Sequence, residues 1–219
     1  MADSQQPLSK VISMQYKEIQ VDLTLPEPRV PRAKGTHVSG IIRAIAIETG
    51  ILKAEWAEDK SMADSREITD PVAVLRMNIG LAWEEHYIST FLAPLGVDDH
   101  PDPMCVDGVH MSPDGISVDV IITQRRKQYH PIVHEIKATY KSVNTVADLS
   151  KEFMWISQVK SYCKGSKTRY AQLHVLFLCG DYSFPIKPQL KVWAIEFTQK
   201  EIDDNWSLLI DYKEENATA

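Results

Sequence analysis

The chain has 219 residues, 44% of them hydrophobic and 25% charged, an ordinary globular composition that makes 1–219 a single expected domain. Thirty acidic against 24 basic residues leave a net charge of −6, which argues against coating nucleic acid by charge alone but not against an enzyme that acts on it. No apolar run reaches the ~18 residues of a bilayer span, Met1-Ala2-Asp3-Ser4-Gln5-Gln6 lacks a secretory pattern, and no membrane partner is expected.

The segment 1–35 should be irregular, broken by Pro26, Pro28 and Pro31. Ser39 is placed to cap a helix through Ile41, Ile42, Ile45 and Ile47 that stops at Gly50. A charged loop over 53–69 follows, then Asp70-Pro71 opens a helix reaching Phe91 or Leu92 and closed by Pro94 and Gly96. Val118, Val120 and Ile122 predict one strand and Ile132, Val133 and Ile136 another. The polar connector Gln124–Gln128 makes the two a hairpin. Helix returns near Asp148 and runs to Gly165, and strands follow over 173–179 and 190–197. Thr198-x-x-Glu201 reads as a capping box opening a last helix, with 213–219 a frayed tail. The fold class is α/β (α+β), a mixed central sheet flanked by helices.

Side chains alternate across a strand, so Glu135 and Lys137 share one face while His134 and Ile136 take the other. Centring the hairpin on its connector sets Val118 opposite Glu135 and Ile116 opposite Lys137. Asp114 then falls on the Glu135 face just beyond the strand, and Asp119 on the opposite face, unless Gly115 introduces a bulge. Two carboxylates converging at a sheet edge suit Mg²⁺, a hard cation that prefers oxygen. An adjacent ammonium can orient an attacking water or offset transition-state charge. An isolated Glu-x-Lys triplet is usually only a surface ion pair; the Ser112-Pro113-Asp114-Gly115 segment upstream gives this one its interest.

Ser112-Pro113-Asp114-Gly115 followed by Glu135-Ile136-Lys137 resembles the PD-(D/E)XK nuclease superfamily. Gly80-x-x-x-Glu84 before it and Gln158-x-x-x-Tyr162 after it resemble the RecB-like branch, which includes phage lambda-type exonucleases. The resemblance implies a restriction-endonuclease-like core and a Mg²⁺-dependent DNA nuclease, with Mn²⁺ a substitute. Asp114, Glu135 and the Ile136 carbonyl would be metal ligands, with Glu84 adding a helical carboxylate and adjacent Glu85 its alternative. Lys137 would be the catalytic lysine, and Gln158 and Tyr162 would orient substrate or catalytic groups. Gly80, one turn before Glu84, would leave room beside that carboxylate.

Some relatives hold an iron–sulfur cluster on four cysteines. Three here, Cys105, Cys163 and Cys179, argue against a cluster, and with no C-x-x-C spacing they also argue against a zinc site or a disulfide framework. His130 and His134 have no ligand spacing and are assigned no role. Candidate phosphate contacts are Lys141, Lys151, Lys160, Lys164, Lys167 and Arg169, with little base reading expected. The leading function is an exonuclease acting at DNA ends in phage recombination or repair. The alternatives are an endonuclease on the same fold or a non-catalytic DNA-binding protein. Expected partners are DNA, a single-strand annealing or recombination protein, and further copies of the chain, since lambda-type relatives thread DNA through rings. The expected location is the cytoplasm of a bacterium or phage-infected host.

Overall fold

The computed structural model describes residues 34–52, 71–99, 101–123 and 126–216. Most of the expected irregular N-terminal segment, the 53–69 loop, the Asp70 cap and the middle of the hairpin connector lie outside the described residues.

A two-residue strand β1 (Thr36–His37) runs straight into helix α1 (Val38–Glu48). His37, not Ser39, therefore occupies the cap position, because β1 pairs in parallel with β4 (Val109–Met111) and carries the chain into the helix two residues early. Helix α2 (Pro71–Tyr87) continues through a π-helical turn, Ile88–Leu92, and a tight turn, Ala93–Leu95. It ends at Gly96, whose φ of 82° is the left-handed closure expected there.

The main sheet has the order β2-β5-β6-β7-β8, built from Asp98–Asp99, Gly115–Thr123, Arg126–Thr139, Tyr170–Phe177 and Gln189–Glu196. β5 and β6 are antiparallel, β6 and β7 parallel, and β7 and β8 antiparallel. Helix α3 (Phe153–Gly165) provides the crossover that a parallel pair needs. A separate three-stranded sheet of β1, β4 and β3 (Met104–Val106) was not foreseen from the sequence.

The hairpin register differs from expectation. Val118 pairs with Pro131 and Ile116 with Val133, each four residues short of the anticipated partner. The cause is that Arg126 and Lys127, assigned to the connector, belong to the β6 ladder. This arm projects past β7, whose pairing starts at Ile132, and a two-stranded arm bonds through its backbone whatever its side chains. The ladder is regular through Gly115, with no bulge.

Two further boundaries change. Asp148 caps a short 3₁₀ turn, accepting the Ser150 amide, and α3 begins only at Phe153. The expected frayed tail is helical as far as Asn216, the end of α4 (Gln199–Asn216). The capping box forms as anticipated: the Thr198 amide donates to Glu201 Oε2 at 2.8 Å and the Glu201 amide to Thr198 Oγ1 at 3.2 Å.

Helices cover both sheet faces. Leu173, Val175, Val133 and Phe177 form the larger core with α1, α3 and α4, on the face that also carries Glu135. Ile136, on the other face, joins Tyr87, Ile88, Leu92 and Val97 beneath α2. Leu209 of α4 is fully buried in the larger core while its neighbour Leu208 is exposed. Leu209→Ala should thus cost ~2–5 kcal/mol and Leu208→Ala under about 0.5 kcal/mol, measured by urea unfolding.

Candidate active site

The acidic site forms where β5 begins. By continuation of the register, Asp114 stands opposite Glu135, so the parity argument holds although the register moved. Asp119 pairs with His130, and the alternation puts it on the other face. Asp114 Oδ2 accepts the Ile136 amide at 2.6 Å, so a side chain takes the place of the strand that β5 no longer provides. A strand residue sends its N–H and C=O to the same side, which turns the Ile136 carbonyl past the end of β5 as well. Gly115 is required here for close approach: a Cβ would meet Val97 Cγ1 at 2.7 Å.

Glu135 is 0% exposed. Its Oε1 accepts the Lys137 ammonium, and its Oε2 has no hydrogen-bond partner among the described residues. Burial first, then the Asp114 charge, push the Glu135 pKa well above the ordinary range; Lys137 opposes them and Glu84 adds to them. Burial works against the Lys137 ammonium, but Glu135, Asp114 and Glu84 outweigh it and raise its pKa. The Lys137 side chain is 26% exposed, although its ammonium is held against the buried Glu135 carboxylate. Glu84 is thus the helical carboxylate whose charge reaches both strand residues.

This donor set fits a hard divalent cation. Three carboxyl groups, Glu135, Asp114 and Glu84, face one ammonium, and one buried Glu135 oxygen lacks a hydrogen-bond partner among the described residues. Among the described residues no cluster of three or more His, Cys, Asp or Glu side chains is gathered to enclose a metal. The fit is therefore to an open site of the kind Mg²⁺ accepts, with one or two carboxylates and several waters, rather than to a closed cage. Near Gly80 the room is open among the described residues: apart from its chain neighbours and its own helix backbone, no atom lies within 4 Å of where a Cβ would stand.

Gln158 donates to the Tyr162 hydroxyl at 2.7 Å, so the pair forms within α3. Tyr162 is 4% exposed and its ring belongs to the larger core, on the Glu135 side of the sheet. The cationic candidates fall in two groups along the chain, after β6 and before β7. Lys141 (to Glu152, 2.5 Å) and Lys151 (to Asp148, 3.5 Å) follow the exit of β6. Lys164 (to Asp203, 2.8 Å) and Arg169 (to Glu196, 3.1 Å) lie toward the start of β7, with Lys167 between them. Lys160 lies over the Phe197 ring at 5.4 Å. Partly exposed ion pairs of this kind contribute about 0–1 kcal/mol, so a phosphate could compete for these cations.

Sequence reasoning missed a chain of polar side chains on the opposite face. Ser117 Oγ meets His134 Nε2 at 2.8 Å, His134 Nδ1 meets His174 Nε2 at 3.1 Å, and His174 Nδ1 meets the Tyr87 hydroxyl at 3.2 Å. The available signal was the parity of His134 and the placing of His174 inside an apolar strand.

No family model matches the sequence, and no curated protein matches it. Among solved structures, an alkaline exonuclease (LHK-Exo) from Laribacter hongkongensis is similar in fold, with 14% identity over 83% of this chain and 87% of that one and a TM-score of 0.51. A phage-related exonuclease from Haemophilus somnus matches at 11% identity over 84% of this chain and 95% of that one, with a TM-score of 0.48. The first likeness shows that this mixed α/β architecture is that of an exonuclease of known structure.

Two predictions follow from the burial of these groups. Burial lowers the pKa of both His134 and His174 from 6.5 to about 4, the His134 charge adding for His174. The unfolded chain takes up these protons first, so stability should fall as pH drops from 6.5 toward 4, by on the order of a few kcal/mol. Glu135 acts in the opposite sense: its raised pKa keeps a proton on the folded state, so stability falls as pH rises above 4.5. Melting temperatures across pH should show both slopes, and Glu135→Gln should remove only the second. Separately, Gly80→Ala should raise stability by ~0.5–1 kcal/mol, since alanine is the better helix former and the space is open.

Proposed function

We propose that this chain is a Mg²⁺-dependent deoxyribonuclease, an exonuclease acting at DNA ends in phage recombination or repair. The observation that carries the reading is the buried Glu135 carboxylate, opposite Asp114 and paired with Lys137, with one oxygen unpartnered. Nothing in a surface ion pair accounts for that arrangement. A carboxylate buried at the cost of its own ionisation is characteristic of sites tuned for a ligand or a reaction. The exonuclease fold of the Laribacter hongkongensis protein supports the same reading.

In this function Asp114, Glu135 and the Ile136 carbonyl would hold the cation, and Glu84 would add charge from α2. Mg²⁺, with Mn²⁺ as a substitute, supplies Lewis acidity at the scissile phosphate when bound. Lys137 orients the attacking water and offsets charge accumulating on the phosphorane-like transition state. The Ile136 amide fixes the Asp114 carboxylate and so holds the ligand geometry. Gln158 and Tyr162 orient the substrate from α3. Lys141, Lys151, Lys160, Lys164, Lys167 and Arg169 contact phosphates, with Lys141, Lys151, Lys164 and Arg169 exchanging their acidic partners for the DNA backbone. A recombination partner and assembly into rings belong to the same reading and would make digestion processive.

Lys137→Ala and Asp114→Ala should each lower cleavage of end-labelled linear DNA at least ~10²-fold, the usual scale for such electrostatic groups, while circular dichroism stays native. Activity of the wild type in excess EDTA would contradict the metal mechanism. Closed circular DNA should survive while linear DNA is shortened; its cleavage would replace the exonuclease with an endonuclease on the same fold.

A further inference from the structure

Helix α2 carries Glu84 and packs on the sheet with few fully buried residues. Of its seventeen residues only Val74 and Tyr87 are buried, while Val72, Leu75, Met77 and Leu81 are exposed. Tyr87 is the buried residue at the end of the helix that carries Glu84. There the Tyr87 hydroxyl meets His174 of β7, His174 meets His134 of β6, and His134 meets Ser117 of β5. One polar chain thus crosses three adjacent strands and ends one helical turn from Glu84.

We propose that Tyr87, His174 and His134 are positioning residues, which set α2 and the Glu84 carboxylate against the strand bearing Glu135 and Lys137. The role rests on the metal-dependent reading above and deepens it. The apolar contacts of Ile88, Leu92 and Ile136 beneath α2 are non-directional and would tolerate sliding of the helix. The hydrogen bonds do not. Each neutral imidazole has one N–H, so the His134–His174 contact takes one donor and the tautomer of either ring fixes that of the other. A displaced Tyr87 would leave a buried His174 nitrogen unpaired, at about 1–3 kcal/mol. His134 immediately precedes Glu135 in β6, so the chain ties α2 to the strand position beside the ligand itself. The π-helical turn starting at Ile88, directly after Tyr87, offsets the helix at this anchor, as such turns often do at functional sites.

The test is a double-mutant cycle read by calorimetric titration with Mg²⁺ alone. Tyr87→Phe keeps the ring packed on His174 and removes only the hydroxyl; His174→Gln is the second variant, in case the first is compensated by water. Each should weaken Mg²⁺ binding at least ~10-fold, the scale of partners that orient metal ligands. In a Glu84→Gln background the same changes should alter binding by less than about twofold, because they act through Glu84. Mg²⁺ affinity that is unchanged in both variants, or weakened equally in both backgrounds, would overturn the positioning role. Failure of the nuclease reading shows separately, as a wild type that binds Mg²⁺ but cleaves no DNA. A wild type that binds no Mg²⁺ would overturn both.

Discussion

Glu135 has no exposed surface, and the rest of the site is arranged around that fact. Removing a carboxylate from water costs several kcal/mol even after a protein relaxes around it. Lys137 compensates one oxygen, but Asp114 and Glu84 bring more negative charge to the same place. A domain shaped for stability alone would neutralise that position or fill it with an apolar side chain. Here the end of β5 instead leaves the Asp114 carboxylate and the Ile136 peptide facing one spot. In the proposed function, a bound cation would offset this repulsion.

The sheet gives its two faces different tasks. The Glu135 face is sealed by three helices whose core includes Leu173, Val175, Tyr162 and Leu209, and that packing makes the strand a rigid platform. On the other face a small apolar cluster and one hydrogen-bonded chain hold α2. The carboxylates of the strand are therefore fixed by the fold's strongest packing, whereas in the proposed positioning role the helical carboxylate takes its place from directional contacts.

Parity was legible in the sequence because it depends only on alternation. Shifting the hairpin by an even number left Asp114 facing Glu135 even though every pairing moved. The register itself was not legible: polar Arg126 and Lys127 look like a turn but sit in a ladder. Local chemistry was visible where it is self-contained, as in the Thr198–Glu201 box and the Gly96 closure. It was not visible where a distant strand intervenes, as at His37, whose place follows from pairing with β4. The polar chain behind the site was hidden for the same reason, since its four members come from three strands and a helix. Helical spacing pairs Gln158 with Tyr162 in the sequence but does not reveal that the Tyr162 ring belongs to the core while its hydroxyl meets Gln158.

The most direct test of this account is the protonation of Glu135 itself, followed by ¹³C NMR of its side-chain carboxyl across pH with and without Mg²⁺. The account predicts a titration well above that of ordinary glutamates in the metal-free protein, moving to lower pH when Mg²⁺ is added. An ordinary titration that Mg²⁺ leaves unmoved would contradict it.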